Sequence, residues 1–211
     1  MKTDELIHLL ATGAGPAPRR TVHTRIGIAL IGGLAASTMV CLAVLGLNPE
    51  LGAIPTALVV KVLYGLGVLV ATTWWMDRAA RPAARANGAA GTLLLVVVLM
   101  AAWAGLAVAE ASAEARADLL LGHSWASCPG RVATLALPAV AAALWALHGL
   151  APTRPRRAGF VAGLFGGSAG ALAYALFCNE TSPAFVLIWY SLGMLLPAGL
   201  GALIGPRLLR W

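Results

Sequence analysis

Two cysteines, a histidine and a glutamate are the residues of this 211-residue chain whose types could act together chemically. His123 and Cys128 lie in one polar stretch, and Cys178 and Glu180 lie in another. Thiolate, imidazole and carboxylate groups are ligands for soft or borderline metal ions. Two thiols that meet in an oxidising compartment can instead form a disulfide. These residues therefore leave three alternatives open: a sensing or metal site, a static disulfide, and a pair of inert cysteines.

Motifs of other chemistries are absent from the sequence. Cys41, Cys128 and Cys178 form no C-x-x-C pair, which argues against a zinc ribbon or a thioredoxin-type site. We find no nucleophile beside a base, no phosphate-binding loop and no pair of carboxylates within an apolar segment. The chain is therefore predicted not to be an enzyme and to require no cofactor. The one bound group that the residues suggest is a transient heavy-metal ion at Cys128 and Cys178, and Cys41 is interpreted as a small buried apolar residue.

The composition predicts a membrane protein. Apolar residues make up 60% of the chain and charged residues only 11%, against about 25% charged in soluble domains. Six apolar segments are each long enough to cross a bilayer core of about 30 Å as a helix. The predicted fold is therefore all-α, with an N-terminal arm over 1–25, a transmembrane domain over 26–205 and a tail over 206–211. The predicted spans are about 26–47, 54–75, 89–109, 131–150, 159–178 and 184–204.

Basic residues predict the orientation of these spans. The N-terminal arm carries four Lys or Arg, the second and fourth loops three each and the C-terminus two, whereas the opposite side has only Arg116 and Arg131. Positive charge collects on the cytoplasmic side, so both termini are expected there. Cys128, Cys178 and their polar neighbours are then expected at the outer face. The net charge of +7 is explained by this orientation rather than by nucleic-acid binding.

Lys61 is the remaining cation, and it lies within the second span. An ionisable residue in a span suggests function. Lys61 is, however, only about two turns from the outer end, so its side chain can reach the membrane interface. Interfacial placement, with Glu50 as a partner, is the favoured interpretation.

Glycines recur every fourth residue in the fifth span, at Gly159, Gly163 and Gly167, and the sixth span continues this spacing at Gly201 and Gly205. Small residues at this spacing let two helices approach closely in lipid. The fifth and sixth spans are therefore predicted to form a close pair, and the fifth is expected to organise the rest of the chain.

The N-terminal arm begins with a predicted short helix over residues 3–11. Acidic residues fall in its first turn, and Leu6, Leu9 and Leu10 share one face. Such a helix either lies on the membrane as an anchor or docks onto a soluble partner. The pattern alone does not choose between these two interpretations.

Several short motifs follow one another along the chain. They are Thr3 to Ala11 (T-D-E-L-I-x-x-L-A), Trp125-x-x-Cys128, Leu135–Pro138, Arg157–Gly159, Tyr174 through Cys178 to Glu180, Trp189-Tyr190 and Gly201-x-x-x-Gly205. Over essentially the whole chain this pattern resembles the NrsF-type membrane anti-sigma factor family, negative regulators of extracytoplasmic-function sigma factors of the SigF kind in proteobacteria. One difference is the Thr-Gly-Ala-Gly run at 12–15, which stands where the family pattern has an acidic residue.

The resemblance implies a multi-pass protein of the bacterial inner membrane that sequesters an extracytoplasmic-function sigma factor. It implies release of that factor when periplasmic metal or oxidative stress acts through Cys128 and Cys178, with His123 and Glu180 as neighbours. The expected partners are the sigma factor and the lipid bilayer, without direct nucleic-acid contact. The predicted sigma-factor contacts are Thr3, Asp4, Glu5, Leu6, Ile7, Leu9 and Leu10.

Two other functions stay open on the sequence. A small membrane transporter of a metal ion or small molecule would need a polar path through the spans. A membrane thiol oxidoreductase would need a C-x-x-C motif or a quinone site. Neither feature is evident in the sequence.

Overall fold

The structure is a computed structural model that describes residues 3–13, 21–49, 55–81, 86–150 and 152–210. Lys2, Arg19, Arg20, Glu50 and Arg85 lie outside these ranges. Within them every regular element is helical, which confirms the predicted all-α class. The helices are α1 (Thr3–Gly13), α2 (Thr21–Val44), α3 (Pro55–Ala79), α4 (Asn87–Glu110), α5 (Ala113–Leu121), α6 (Cys128–Leu135), α7 (Leu137–His148), α8 (Pro155–Ala175), α9 (Pro183–Phe185) and α10 (Ser191–Leu208), with a π-helical turn at Val186–Tyr190.

Five helical stretches of the described chain are long and apolar enough to cross a membrane by length and composition. They are α2, α3, α4, α8 and the continuous run from α9 to α10. The pair α6 and α7 makes a sixth candidate span if it is counted as one helix, because the two are separated by a bend of 42°. Pro138 explains the bend, since proline has no N–H to donate to the carbonyl four residues earlier.

Helix α8 lies at the centre of the bundle. In its most apolar window 89% of the residues are buried within the protein, whereas the corresponding share is 11% for α4. Helices α2, α3, α6, α7 and α10 surround α8. The small residues of α8 explain this position, because a helix with few large side chains can be enclosed by neighbours on every side.

The face of α8 toward α10 has no room for side chains. A methyl group on Gly163 would lie 2.6 Å from the Ala198 Cα, and one on Gly167 would lie 2.7 Å from the Met194 Cα. A methyl group on Gly159 would overlap the carbonyl of Gly201. Any larger residue in this stripe would therefore have to push the two backbones apart.

A second glycine face of α8 packs against the bent pair. A methyl group on Gly166 would lie 2.6 Å from the Val140 backbone nitrogen, and one on Gly170 would lie 2.6 Å from the Ala136 backbone nitrogen. Helix α8 is thus held by close backbone contact on two sides.

The bundle has two ends, which we name after their residues. The thiol end contains Cys128 at the start of α6 and Cys178 beyond the end of α8. The arginine end contains Arg25, Arg81 and the start of α8. At the arginine end the Arg25 guanidinium lies 5.4 Å from the Trp145 ring centroid. Arg81 pairs with Asp77 at 2.9 Å, and these hydrogen bonds raise the pKa of the Arg81 guanidinium, which therefore stays protonated.

Candidate functional site

Cys128 and Cys178 come together at the thiol end as buried free thiols. Cys128 is 0% exposed and Cys178 is 3% exposed, and both belong to one apolar cluster. Glu180, two residues beyond Cys178, bonds to Ser124, four residues before Cys128, so the two cysteines lie at the same end of the bundle. Because neither thiol is on the surface, an agent from solvent must enter the protein to reach them.

Local hydrogen bonding fixes the position of each cysteine. The Cys128 N–H donates to the Ser124 carbonyl at 2.9 Å, which closes the turn that leads into α6. The Cys178 N–H donates to the Tyr174 carbonyl at 3.0 Å, just past the last helical residue of α8, Ala175. Helix α8 therefore ends three residues before Cys178, which lies in the segment that follows the helix.

Lys61 approaches Cys178 from α3. Its ammonium group donates a hydrogen bond to the Cys178 carbonyl, and the residue is only 3% exposed. Lys61 is therefore enclosed by the bundle with the Cys178 carbonyl as its partner, and Glu50, the partner considered from the sequence, lies outside the described residues. The lysine was visible in the sequence, but whether its face of α3 met α8 or lipid depended on packing that the sequence pattern does not reveal.

Glu180 connects the segment after α8 to the loop before α6. Its Oε1 accepts hydrogen bonds from the His123 N–H at 2.8 Å, the Ser124 N–H at 2.9 Å and the Ser124 hydroxyl at 2.9 Å. Gly122, with φ of +56°, lies beside the same carboxylate, and a methyl group there would lie 2.5 Å from Oε2. Glu180 thus acts as an acceptor that holds the turn over residues 122–127.

The sequence predicted that Cys128, Cys178, His123 and Glu180 could serve together as metal ligands. Across the described ranges, no three His, Cys, Asp or Glu residues are arranged to hold an ion, so this four-residue set is not assembled. The reason is that Glu180 turns one carboxylate oxygen toward loop donors, while His123 contributes its main-chain N–H to that contact. The chemistry that remains at this end belongs to the two thiols.

Aromatic and basic residues that sequence reasoning did not assign surround the thiols. The rings of Tyr174 and Tyr190 are 5.8 Å apart, and the Arg131 guanidinium lies 5.4 Å from the Phe177 centroid. The Tyr190 hydroxyl is fully buried and has no hydrogen-bond partner among the described residues. The π-helical turn that carries Tyr190 could have drawn attention only in the structure, because π-helical turns have no clear sequence signal.

A cavity of about 280 Å³ lies at the thiol end. Cys178 is one of its lining residues, whereas Cys128 is not. The cavity is also bordered by Asn48, His123, Arg131, Phe177 and Glu180. It therefore lies between one cysteine of the pair and the loops at the thiol end.

Two hydrogen bonds hold helix α5 beside this site. The Ser182 hydroxyl donates to the Leu119 carbonyl at 2.7 Å, and the Trp189 indole N–H donates to the Leu120 carbonyl at 2.8 Å. The Ser112 side chain caps the start of α5. Helix α5 is thus anchored to the last helical run, from α9 to α10.

Helix α1 presents its residues to solvent. All residues from Thr3 to Thr12 are exposed, with Ile7 and Leu9 each 59% and Leu10 66% exposed. Asp4 and Glu5 occupy its first turn. These side chains are consequently available for a contact outside the bundle.

Comparison with known proteins identifies the family. The model of a family described as negative regulator of sigma F matches residues 10–211. The chain is 39% identical over 216 residues to the probable anti-sigma-F factor NrsF of Azospira oryzae. It is 40% identical over 220 residues to the anti-sigma-F factor NrsF of Caulobacter vibrioides, and both alignments cover 100% of each chain. No solved structure matches the chain.

These matches confirm the resemblance inferred from the motifs. They extend across nearly the entire sequence, and the family is regulatory rather than catalytic. The chain therefore belongs to the NrsF family of negative regulators of sigma F.

Proposed function

We propose that this protein is an inner-membrane anti-sigma factor that holds an extracytoplasmic-function sigma factor and releases it when periplasmic metal or oxidative stress modifies Cys128 and Cys178. The observation that carries the proposal is that these two buried free thiols lie at the same end of the bundle, on segments joined by the Glu180–Ser124 hydrogen bonds. The names of the two full-length relatives support the anti-sigma role.

Apolar helices and the distribution of basic residues support a membrane location. The arginine end carries Arg25, Arg78 and Arg81 together with the arginines that precede and begin α8. The positive-inside rule favours a cytoplasmic position for that end and for both termini. The thiol end then faces the periplasm, where an external stress would arrive first.

Helix α1 is the proposed contact for the sigma factor. Leu6, Ile7, Leu9 and Leu10 are exposed apolar side chains on a helix that begins with acidic residues. An amphipathic helix of this kind can lie in an apolar groove of a partner. Because α1 precedes α2 by a short connection, the partner would sit beside the arginine end.

The proposed signal travels along α8. One end of this helix leads to Cys178, and the other begins at Pro155, next to Arg156 and Arg157. A modification that favours one arrangement of the thiol end by about 1–3 kcal/mol shifts the balance between two states 5- to 150-fold. Because α8 meets α10 backbone to backbone, a displacement of α8 is passed on to α10.

The stimulus acts on the thiols without a resident cofactor. A soft metal ion would bind the two sulfurs as thiolates and displace their protons. A two-electron oxidant would instead join the sulfurs, taking two electrons while two protons leave. Either change links α6 to the segment after α8.

The packing of buried residues supports a transporter function less well than an anti-sigma function. Among the described residues, the buried polar or charged ones are Ser37, Lys61, Thr72, Ser168 and Ser182. The Thr72 and Ser168 hydroxyls bond to carbonyls of their own helices, and the set is too small to line a polar path across the bundle.

The proposal is tested with cells that carry a sigma-dependent reporter. Cys128→Ser and Cys178→Ser are each expected to retain the sigma factor after exposure to cadmium or a disulfide-forming oxidant, whereas the unmodified protein releases it. Cys41→Ser is the matched control, since Cys41 is equally buried but donates to the Ala173 carbonyl at 3.2 Å within the bundle. Normal release from both Cys128→Ser and Cys178→Ser would refute sensing through these thiols.

Binding is tested separately by capture with the full-length membrane protein. Replacing Leu6 and Leu10 by Ser should abolish recovery of the sigma factor, while Thr12→Ser should not, because Thr12 bonds only to its own helix at the His8 and Leu9 carbonyls. Undiminished recovery with the double variant would exclude α1 as the contact.

A further inference from the structure

We infer that the cavity at the thiol end admits small thiol-reactive molecules, that Cys178 reacts with them first, and that Cys128 then resolves the product. This inference rests on the proposed function and assigns different roles to the two thiols. Its structural basis is their unequal relation to the cavity.

Both cysteines are buried, but their surroundings differ. Cys178 is 3% exposed and lines the cavity, so a molecule inside the cavity meets it directly. Cys128 is 0% exposed, is absent from the lining, and packs in the apolar cluster beside Val132 and Leu135. A reagent that enters from the outer loops therefore reaches Cys178 before Cys128.

The size of the cavity limits what can enter. A volume of about 280 Å³ holds roughly nine water molecules at about 30 Å³ each. This is room for a small electrophile.

The boundary of the cavity is firmly held. Glu180 fixes the turn at His123 and Ser124 through three hydrogen bonds, and Lys61 holds the carbonyl of Cys178 from the opposite side. The Arg131 guanidinium covers the Phe177 ring at the wall. The segment that carries Cys178 is consequently held in one place beside the cavity, which favours reaction of this residue.

The reaction sequence is a thiol–disulfide exchange in two steps. With methyl methanethiosulfonate, the Cys178 thiolate attacks the methylthio sulfur, a mixed disulfide forms, and methanesulfinate leaves with the bonding electron pair. The Cys128 thiolate then attacks the Cys178 sulfur and expels methanethiolate, while the protons of both thiols pass to solvent. The product is a Cys128–Cys178 disulfide without a retained methylthio group.

Mass spectrometry of the full-length protein in membrane vesicles tests this order. The unmodified protein should lose two free thiols and keep no methylthio group. Cys128→Ser should retain one methylthio group on Cys178, and Cys178→Ser should react at least tenfold more slowly. Rapid labelling of Cys128 in Cys178→Ser, or an unlabelled Cys178 in Cys128→Ser, would overturn the assignment.

Two controls keep the result interpretable. Cys41 is 0% exposed within the bundle, so its labelling reveals any variant that has unfolded. His123→Trp should slow the reaction of Cys178 by narrowing the cavity, whereas Ala126→Trp, in the same turn but not on the lining, should not. Equal rates in these two variants would exclude the cavity as the route.

The outcome is separable from that of the proposed function. If labelling follows the expected order but sigma release is unaffected by either serine variant, the route is correct and the sensing role is wrong. If release depends on both cysteines but Cys128 reacts first, sensing stands and the assignment of roles fails.

Discussion

One carboxylate oxygen of Glu180 accepts three hydrogen bonds, and two of the donors are main-chain N–H groups. A side-chain substitution does not remove a main-chain N–H group. The hydrogen bonds of the loop therefore depend on the Glu180 carboxylate that accepts them. Lys61 differs, because it is a buried cation whose hydrogen bond goes to a carbonyl. The two residues therefore respond differently to substitution.

Glu180→Ala should lower the free energy of unfolding by about 1–3 kcal/mol, because it leaves two backbone donors without their acceptor. Glu180→Gln keeps an acceptor oxygen of the same reach and should cost about 1 kcal/mol or less. Thermal unfolding in detergent measures both, with the exposed Glu114→Ala as control. Equal effects of Glu180→Ala and Glu114→Ala would contradict the assigned role.

Lys61→Met should change the unfolding temperature little. Loss of a charged hydrogen bond costs about 1.5–3 kcal/mol, and removal of a buried ammonium recovers several kcal/mol of desolvation. The local effect should be larger, since the Cys178 carbonyl loses its donor. Hydrogen exchange should therefore speed up over residues 178–182 and stay unchanged in α4, and a uniform change across the protein would argue against this local role.

At the scale of elements, the contact between α8 and α10 is the one that tolerates larger side chains least. The backbones of the two helices are in contact there, so an added side chain would clash with backbone atoms that have no alternative rotamer. The bent pair α6 and α7 packs on another face of α8, which explains why this helix is the most enclosed of the long helices. Movement of α8 must therefore involve its neighbours.

Gly163→Leu should destabilise the protein by about 1–3 kcal/mol or more, because its Cβ would lie 2.6 Å from the Ala198 Cα. Gly91→Leu is the matched control in α4, where an added Cβ meets nothing within 4 Å. Unfolding in detergent followed by tryptophan fluorescence compares the two variants. Equal stability would mean that α8 and α10 do not pack as closely in the membrane as described.

At the scale of the whole molecule, the thiol end and the arginine end define a polarity for the bundle. Basic residues concentrate at the end where α2 begins, and the cavity opens at the other. An anti-sigma factor with an external sensor requires this separation of partner and stimulus by the membrane. The orientation is consequently a testable part of the proposal.

Orientation is measured with a membrane-impermeant maleimide on intact spheroplasts. In a background with the native cysteines replaced by serine, Ala126→Cys should be labelled from outside, and His8→Cys should be labelled only after the membrane is opened. Both positions are exposed in the protein, so accessibility within the fold does not limit either reaction. The reverse pattern would invert the proposed topology.

Composition and local spacing were sufficient for the helical class, because long apolar segments in lipid must satisfy their backbone groups within helices. The ordered motifs were likewise sufficient for the family. The periodicity of glycines marks one face of α8 without any knowledge of its neighbours. These features depend on the chemistry of residues that are close to one another in the sequence.

Packing between distant segments decided the rest. The contact of Lys61 with the Cys178 carbonyl joins residues 117 positions apart, and Glu180 meets Ser124 across 56 positions. The end of α8 at Ala175 and the cavity beside Cys178 depend on the same packing. Such contacts arise from the way helix faces meet in space, so the direction of a buried lysine and the accessibility of each thiol appear only in the tertiary structure.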